Sequence, residues 1–429
     1  MKVAFLTLGC KVNKYETDLL KEKFEMAGHF VVDFDSKADM YCINSCSVTN
    51  MSDRKTRQMM SKARKQNPDA IVAVIGCSVQ SDKGNDGFLE ADVILGNDEK
   101  MDLLDIVQNF KRQKGIKKVV LKDISKVKRY KNVGTLNKGY DLREQVKIED
   151  GCNNFCSYCI IPYIRGRVRS RALKDIKEEA INLVKNGVKE IVIVGIEVAS
   201  FGKDLENTDL FDVLDIMENI EGLERLRLSS IEPRFLTTEN IIRMSKYKKL
   251  CPHFHISMQS GNDDVLKRMN RKYSKDTLIK VCNDLRTYFD DPYLASDVIV
   301  GFPKETDEEF NDTINTINNM ELSEVHVFKY SKRKYTLASK MDGQIDGSVK
   351  KQRSNEVLNL SRVLKQKFLE KYLGKKVQVL FENFTDGILT GYTPNYIKVK
   401  TKGEKKLCGT IQDVVITSLE KDIAQGSLD

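Results

Sequence analysis

The chain contains no apolar run approaching the roughly 20 residues that a membrane span requires. Its first residues, MKVAFLTLGC, pair Lys2 with the short apolar stretch Val3–Leu8 but offer no small-residue cleavage site. They read as a buried strand, not as a secretory signal. No P-loop, GxGxxG turn or Ser-His-Asp set is present, so the common signatures of nucleotide binding and of serine-based hydrolysis are missing. Histidine is scarce, and the four residues His29, His253, His255 and His326 are read as structural or as supports behind a site. A chain with neither span nor signal is expected in the cytoplasm, with no membrane partner, where thiols stay reduced. Ten cysteines there argue for metal binding or catalysis over disulfides.

The 429 residues make room for about two to four domains. Hydrophobic residues at 41% support ordinary cores, and a net charge of +9 tilts the list of partners toward a polyanion such as RNA. Residues 1–110 alternate strand and helix and predict a small doubly wound α/β domain. Its strands are Val3–Leu8, Ala38–Asn44, Ile71–Ile75 and Ala91–Leu95, and Asn13 is the expected N-cap of a first helix over Asn13–Ala27. Residues 111–143 are a basic connector. Residues 144–353 repeat a βα rhythm, with strands expected at Gln145–Ile148, Glu190–Val194, Arg225–Leu228, His253–Ser257, Ala295–Val300 and Glu324–Tyr330. Six units predict a partial (β/α)6 barrel, whose working residues belong at the C-terminal strand ends. A helix over 354–370 leads to short strands over 371–429, a small all-β barrel with a basic edge at Lys398, Lys400 and Lys402. Such an appended basic barrel more often grips nucleic acid than water alone.

Cysteines stand at matching places in the first region. Cys10, Cys46 and Cys77 each directly follow a predicted strand, at the sheet edge where ligands of open α/β sheets bind, so they are expected to converge. Cys42 lies within its strand, and Cys251, Cys282 and Cys408 have no partner at ligand spacing; these four read as plain thiols. A second trio, Cys152, Cys156 and Cys159 in GCNNFCSYC, has C-x3-C-x2-C spacing just after the first barrel strand. Zinc would need a fourth ligand, and no Cys or His lies near. The spacing also differs from the run of bacterial ferredoxins. Three thiolates can hold three irons of a 4Fe–4S cluster and leave the fourth open. Just beyond, Arg165, Arg167, Arg169 and Arg171 alternate in RGRVRSR, which puts them on one face of an extended segment and suggests contact with RNA phosphates.

C-x3-C-x2-C with Tyr158 before its last Cys resembles the radical S-adenosylmethionine (SAM) superfamily. TLGCKVNKYET, INSCSVT and VIGC are similar to the N-terminal domain of its methylthiotransferases. YCIIPYIRGRVRSR, SSIEP, HFHISMQSG, DVIVGFPKET and HVFKYSKR resemble the barrel of that family, and the last region resembles its RNA-binding TRAM domain. LGCKVN and GYTPNYIKV are most like the branch acting on N6-threonylcarbamoyladenosine at tRNA position 37. The isopentenyladenosine branch usually has Gln-Met-Asn after the first Cys. The branch acting on a ribosomal-protein aspartate usually has Pro/Ser-Lys-Asn there.

The resemblance implies two 4Fe–4S clusters, one on each trio, and SAM as both methyl donor and radical source. One SAM would methylate a sulfur on the first cluster. A second SAM, on the second cluster, would yield the radical that takes hydrogen from C2 of the adenine. Tyr158, Glu197, Ser230, Glu232, Gln259 and Asp297 are the expected SAM contacts. The partners would be a tRNA anticodon stem-loop, an external electron donor and a sulfur source. The chain departs from the family at Glu197, where His or Asn is common in this branch, at Ser257, where Pro is usual, and at Tyr335, where Gly is usual. An iron–sulfur RNA-binding protein without catalysis is the reading of a different class.

Overall fold

Short β-branched runs that are apolar on both faces build the first domain. The structure, a computed structural model, describes residues 1–82, 86–113 and 116–428, so Lys114 and Gly115 of the connector lie outside the described residues. Strands β1 (Lys2–Thr7), β2 (Phe30–Val32), β3 (Met40–Ser45), β4 (Ile71–Gly76), β5 (Val93–Leu95) and β6 (Lys118–Val120) form one sheet in the order β2-β1-β3-β4-β5-β6, all parallel. Helices α1 (Lys11–Met26) and α4 (Leu103–Gln108) cover one face, and α2 (Asn50–Gln66) and α3 (Cys77–Asp82) the other. Both faces being covered explains why β3 is buried along its whole length. The edge strands β2 and β6 are too short to carry a periodic signal, and β6 belongs to the stretch read as connector. The strand order reverses between β1 and β3, which opens a crevice at their C-terminal ends.

Asn13 is not the N-cap of α1. Cys10 holds that position with extended backbone, and Asn13 is buried within the helix. Its Nδ2 donates to the carbonyls of Leu8 (2.7 Å) and Ser45 (3.0 Å), which ties together the ends of β1 and β3. A residue that resembles a cap in the sequence is thus a cross-link in the fold.

The second domain has strands β7 (Arg143–Lys147), β10 (Glu190–Val194), β11 (Arg225–Leu228), β12 (His253–Gln259), β13 (Tyr293–Val300) and β14 (Glu324–Lys329), with a short hairpin pair β8 (Glu149–Asp150) and β9 (Arg169–Ser170) beside β7. The six run parallel as two three-stranded sheets, β11-β10-β7 and β12-β13-β14. Isolated bridges at Leu226–Leu250 and Ile231–Ile256 join them into an open barrel. Ser257 donates its amide to Ile231 across that seam (3.0 Å), a bond the usual proline could not make. After the short α5 (Ile161–Ile164), helices α6 (Leu173–Lys185), α7 (Leu210–Glu218), α8 (Thr238–Met244), α9 (Asp263–Arg268), α10 (Lys275–Tyr288) and α11 (Asp307–Asn319) surround the strands. One side of each strand, such as Ile191 and Ile193 of β10 or Leu226 and Leu228 of β11, packs into the apolar layer under them. The alternate side, including Glu190, Arg225, Arg227, His255 and Asp297, faces a polar lumen.

Helix α12 (Gly347–Glu370), capped by Asp346, starts earlier than the expected 354. It leads to β15 (Lys376–Thr385), β16 (Ile388–Tyr392), β17 (Lys398–Lys402), β18 (Ile411–Glu420) and β19 (Ile423–Leu428), a closed barrel as a TRAM-like domain requires. Its β16–β17 turn plugs the N-terminal mouth of the large barrel. The Arg143 and Arg227 guanidiniums lie 4.6 Å from the Tyr392 ring and 4.8 Å from the Tyr396 ring, and the His253 ring packs 4.6 Å from Tyr396 at a tilt of 40°. Arg225 and Arg227 donate to the carbonyls of Tyr392 (2.7 Å) and Pro394 (2.9 Å).

The expected arginine face is corrected here. Arg165, Arg169 and Arg171 are buried at 0%, 5% and 3% exposure, and only Arg167 of the four is exposed. The segment is extended over Arg169–Ser170 alone, so its alternation never becomes a continuous outward face. Arg165 reaches Glu16 (3.1 Å), Asp150 (3.0 Å) and Asn13 (2.7 Å). Glu16 also holds Lys100 (2.5 Å) and Lys147 (2.8 Å), and Lys147 holds Asp150 (2.7 Å). Arg171 pairs with Glu179, which accepts from Tyr15 of α1 (3.2 Å). Burial alone would raise Glu16, but Arg165, Lys100 and Lys147 outweigh it and hold its carboxyl well below the usual range. Removing one partner leaves uncompensated buried charge, so Arg165→Ala should destabilise the fold by about 3–5 kcal/mol. A denaturant titration of wild type and variant measures this.

Candidate active site

Three βα turns at the crevice of the first sheet carry Cys10, Cys46 and Cys77. Cys10 follows β1, Cys46 follows β3, and Cys77 opens α3 directly after β4. Gly9 makes their approach possible: its φ is +98°, and a Cβ there would stand 2.7 Å from the Cys46 Cβ and Sγ. Burial, with Cys77 and Cys10 as like-charged neighbours, pushes Cys46 up to about 11. Asn97 Nδ2 lies 3.8 Å from the Cys77 Sγ and donates to the Ile164 carbonyl at 2.7 Å.

The second trio lies on the loop beyond β7 and β8. Gly151 enters it at φ +85°, where a Cβ would meet the Arg167 carbonyl at 2.0 Å, so no other residue fits. Cys152 donates its amide to Gly166 (3.0 Å), and Cys159 donates to Cys156 (2.9 Å). Burial pushes Cys152 up to about 12. Arg271 Nη1 lies 3.2 Å from the Cys156 Sγ. Cys77 packs with Ile160 and Ile164, the first directly after Cys159 and the second in α5, so the turn after β4 meets the segment that follows the second trio.

All six thiols are free. Among the described residues, the one trio of donors with ligand atoms within 4.8 Å of each other is His255, Asp297 and His326. Each cysteine trio gathers three free thiols, the donor type and number that can hold three irons of a 4Fe–4S cluster.

Beside Cys152 lies a pocket of acids. Glu197 and Glu232 are buried, and the Glu197 Oε1 has no hydrogen-bond partner among the described residues. Burial and the Glu232 charge push Glu197 up to about 7. Glu149, which the sequence reading missed, accepts from the Glu197 amide (2.6 Å) and is pushed up to about 8 by burial. Its signal was present: an acid pair immediately precedes the cysteine loop. Orphaned buried carboxylate oxygens call for a cation, and the amino group of SAM is one. Ser230 is half-buried just before Glu232.

Tyr158, Gln259 and Asp297 line a cleft of about 210 Å3 together with Cys159 and, from the first domain, Val48 and Thr49. The six expected SAM contacts thus divide between the acid pocket and this cleft. Arg333, also missed, closes one side by donating to Ser47 (2.8 Å) and Asp53 (2.6 Å) next to Cys46. It lies in the YSKRKY turn, where Tyr335 takes the left-handed φ of +70° that would suit the glycine usual there. Lys398, Lys400 and Lys402 alternate outward along β17, with Val399 and Thr401 buried between them. His255 and His326 are not simple packing residues. Their ring nitrogens stand 2.9 and 3.6 Å from the Asp297 Oδ1.

Residues 146–317 match the Radical SAM superfamily, and residues 2–96 match the Uncharacterized protein family UPF0004. The chain is 37% identical over 421 residues to threonylcarbamoyladenosine tRNA methylthiotransferase MtaB of Bacillus subtilis, covering 96% of this chain and 93% of that protein. It is 33% identical over 428 residues to tRNA-2-methylthio-N(6)-dimethylallyladenosine synthase of Alkaliphilus oremlandii, covering 97% and 90%. In fold it is similar to the radical S-adenosylmethionine methyltransferase TsrM from Kitasatospora setae, with a TM-score of 0.54, 14% identity and coverage of 79% and 75%.

Hydrogen bonds with Asp297 and Glu324 hold His326 up to about 9. A raised folded-state value contributes stability below the unfolded value of about 6.5, and that stability is lost as pH rises through about 9. The stability gap between wild type and His326→Gln should therefore shrink between pH 6.5 and pH 9.5. Denaturation midpoints across that range measure it.

Proposed function

The chain belongs to the methylthiotransferase family of radical SAM proteins, and from that premise we propose that it methylthiolates C2 of N6-threonylcarbamoyladenosine at position 37 of tRNA. The observation that supports this reading is the contact of Cys77 with Ile160, the residue after Cys159, beside a cleft lined by Cys159 and by Val48 and Thr49 of the first domain. A reaction that both generates a radical and delivers sulfur to a carbon needs its two centres adjacent.

Cys152, Cys156 and Cys159 would hold the SAM-binding 4Fe–4S cluster, and Cys10, Cys46 and Cys77 the second. Bound there, the clusters and SAM supply one-electron cleavage of a sulfonium and a sulfur that can be methylated. The protein's own residues bind and exclude water. Glu197, supported by Glu149 and Glu232, is placed to receive the amino group of SAM. Tyr158, Ser230, Gln259 and Asp297 complete the walls of its pocket. Arg271 would donate an N–H to the Cys156 sulfur, a contact that tunes cluster potential.

Lys398, Lys400 and Lys402, with the exposed Arg167 near the cysteine loop, form the RNA contacts of this reading. The target base must stand unstacked in a loop to reach the cleft, as position 37 does beside the anticodon. The reaction also draws on an external electron donor and a sulfur source, and a tRNA substrate places it in the cytoplasm.

Nucleoside mass spectrometry of tRNA from cells with and without the protein tests the proposal. The 2-methylthio form of threonylcarbamoyladenosine should appear only with it, and Cys77→Ala or Cys159→Ala should return the level to background. Appearance instead of the 2-methylthio form of isopentenyladenosine would move the substrate to the other tRNA branch. Glu197→Gln should weaken SAM binding by about tenfold or more, the worth of a charge-assisted bond. Equilibrium dialysis with the reconstituted protein reads this directly, and unchanged affinity would remove Glu197 from the pocket.

A further inference from the structure

Helix α1 begins inside the large barrel. Val12 packs with Val192 and Val194, the residues on the inward side of β10. Lys11, one residue earlier, is within electrostatic reach of Arg143 on β7, Glu190 on β10, Arg227 on β11 and Asp297 on β13. A side chain that senses four strands at once lies in the lumen they enclose. Protein crowds it on most sides, yet its ammonium keeps access to solvent.

The other lumen cations are engaged. Arg227 pairs with Glu190 (2.8 Å), Arg143 with Glu382 (3.4 Å), and His326 with Asp297 (3.6 Å). Lys11 forms no hydrogen bond or ion pair among the described residues. The first turn of α1 adds to its charge, because it contains no acid and Cys10 does not cap it with its side chain. Tyr396 closes the far end of the lumen against Arg227 and His253, while Lys11 stands at the start of α1 next to Cys10, open to solvent.

We infer that Lys11 is the specificity residue for the substituent on N6 of the target adenosine, and that it pairs with an anionic group there. The inference rests on the proposed function and deepens it. A threonylcarbamoyl group ends in a carboxylate, whereas a dimethylallyl group has no charge at all. C2 and N6 flank the same N1 edge of adenine. A base that presents C2 to the cysteine trio therefore holds its N6 substituent near the residue following Cys10. An unpaired ammonium that is accessible beside the reacting trio gains most from a charged partner and gains nothing from an apolar one, which would only strip it of water.

The test uses reconstituted full-length protein and two anticodon stem-loops. One carries threonylcarbamoyladenosine, and the other carries the same base with the threonyl carboxylate converted to a neutral primary amide. Wild type should favour the acid over the amide by about tenfold or more in kcat/KM and in Kd. Lys11→Gln should bring that ratio near one, and Lys11→Arg should restore most of it. A merely structural role for Lys11 would lower both RNAs together and leave the ratio unchanged. An undiminished ratio in Lys11→Gln overturns the inference. So does wild type that modifies acid and amide alike, though the proposed function then stands. Wild type that modifies neither RNA overturns both.

Discussion

Everything at the active site hangs on a small buried ion network between the first domain and the barrel. Three cations, Lys100, Lys147 and Arg165, surround two carboxylates, Glu16 and Asp150, in the protein interior. Taking such charges out of water is costly, and good geometry must offset it. Here the geometry draws on both domains at once: Glu16 comes from α1, Lys100 from the loop after β5, and the other three from the barrel. The pairing therefore sets the position of one domain on the other, more than it adds stability. Arg169 also stands 3.9 Å from Asp150, so cations outnumber carboxylates here, and Arg165 among them acts on the first cysteine trio. The Cys10 thiol is raised by burial and drawn back by Arg165.

The barrel is open by construction, and its openings are assigned to different tasks. Tyr396 and its turn fill the N-terminal mouth, where Arg143, Arg225 and Arg227 grip backbone carbonyls and aromatic faces of the third domain. The start of α1 enters against β10. What remains accessible is the C-terminal mouth, with both trios at its rim. Tight glycines make that rim possible, because Gly9 and Gly151 stand where any Cβ would collide with a neighbouring chain segment. The outward lysines of β17 sit on the domain that carries the plug. One domain thus seals the barrel and carries an outward row of lysines.

Much of the fold was legible because its signals are local. Continuous apolar runs mark β3 and β4, and Glu190–Val194, Arg225–Leu228 and Leu210–Glu218 coincide with elements of the structure. The cysteine loop was legible for the same reason, since three ligands within eight residues need no fold to be seen together. Contacts between distant residues were not legible. Asn13 has the residue type and position of a cap, yet it is held by Leu8, Ser45 and Arg165. The alternating arginines suggest a surface, and three of them are interior because acids from α1, the β8 strand and α6 await them. Glu149 and Arg333 carry no motif and become visible only by what they touch.

The sequence by itself determined the order of the main strands and helices, the α/β class with its small terminal β-barrel, and the chemistry available to C-x3-C-x2-C. Spacing and hydrophobic period act over a few residues, where the chain's own geometry is the whole constraint. Tertiary structure decided which arginines are buried, and that Lys11 has no ion-pair partner among the described residues. These outcomes depend on burial and charge balance among residues more than 100 positions apart, such as Glu16 and Arg165. No local pattern carries that information, because desolvation is a property of the assembled interior.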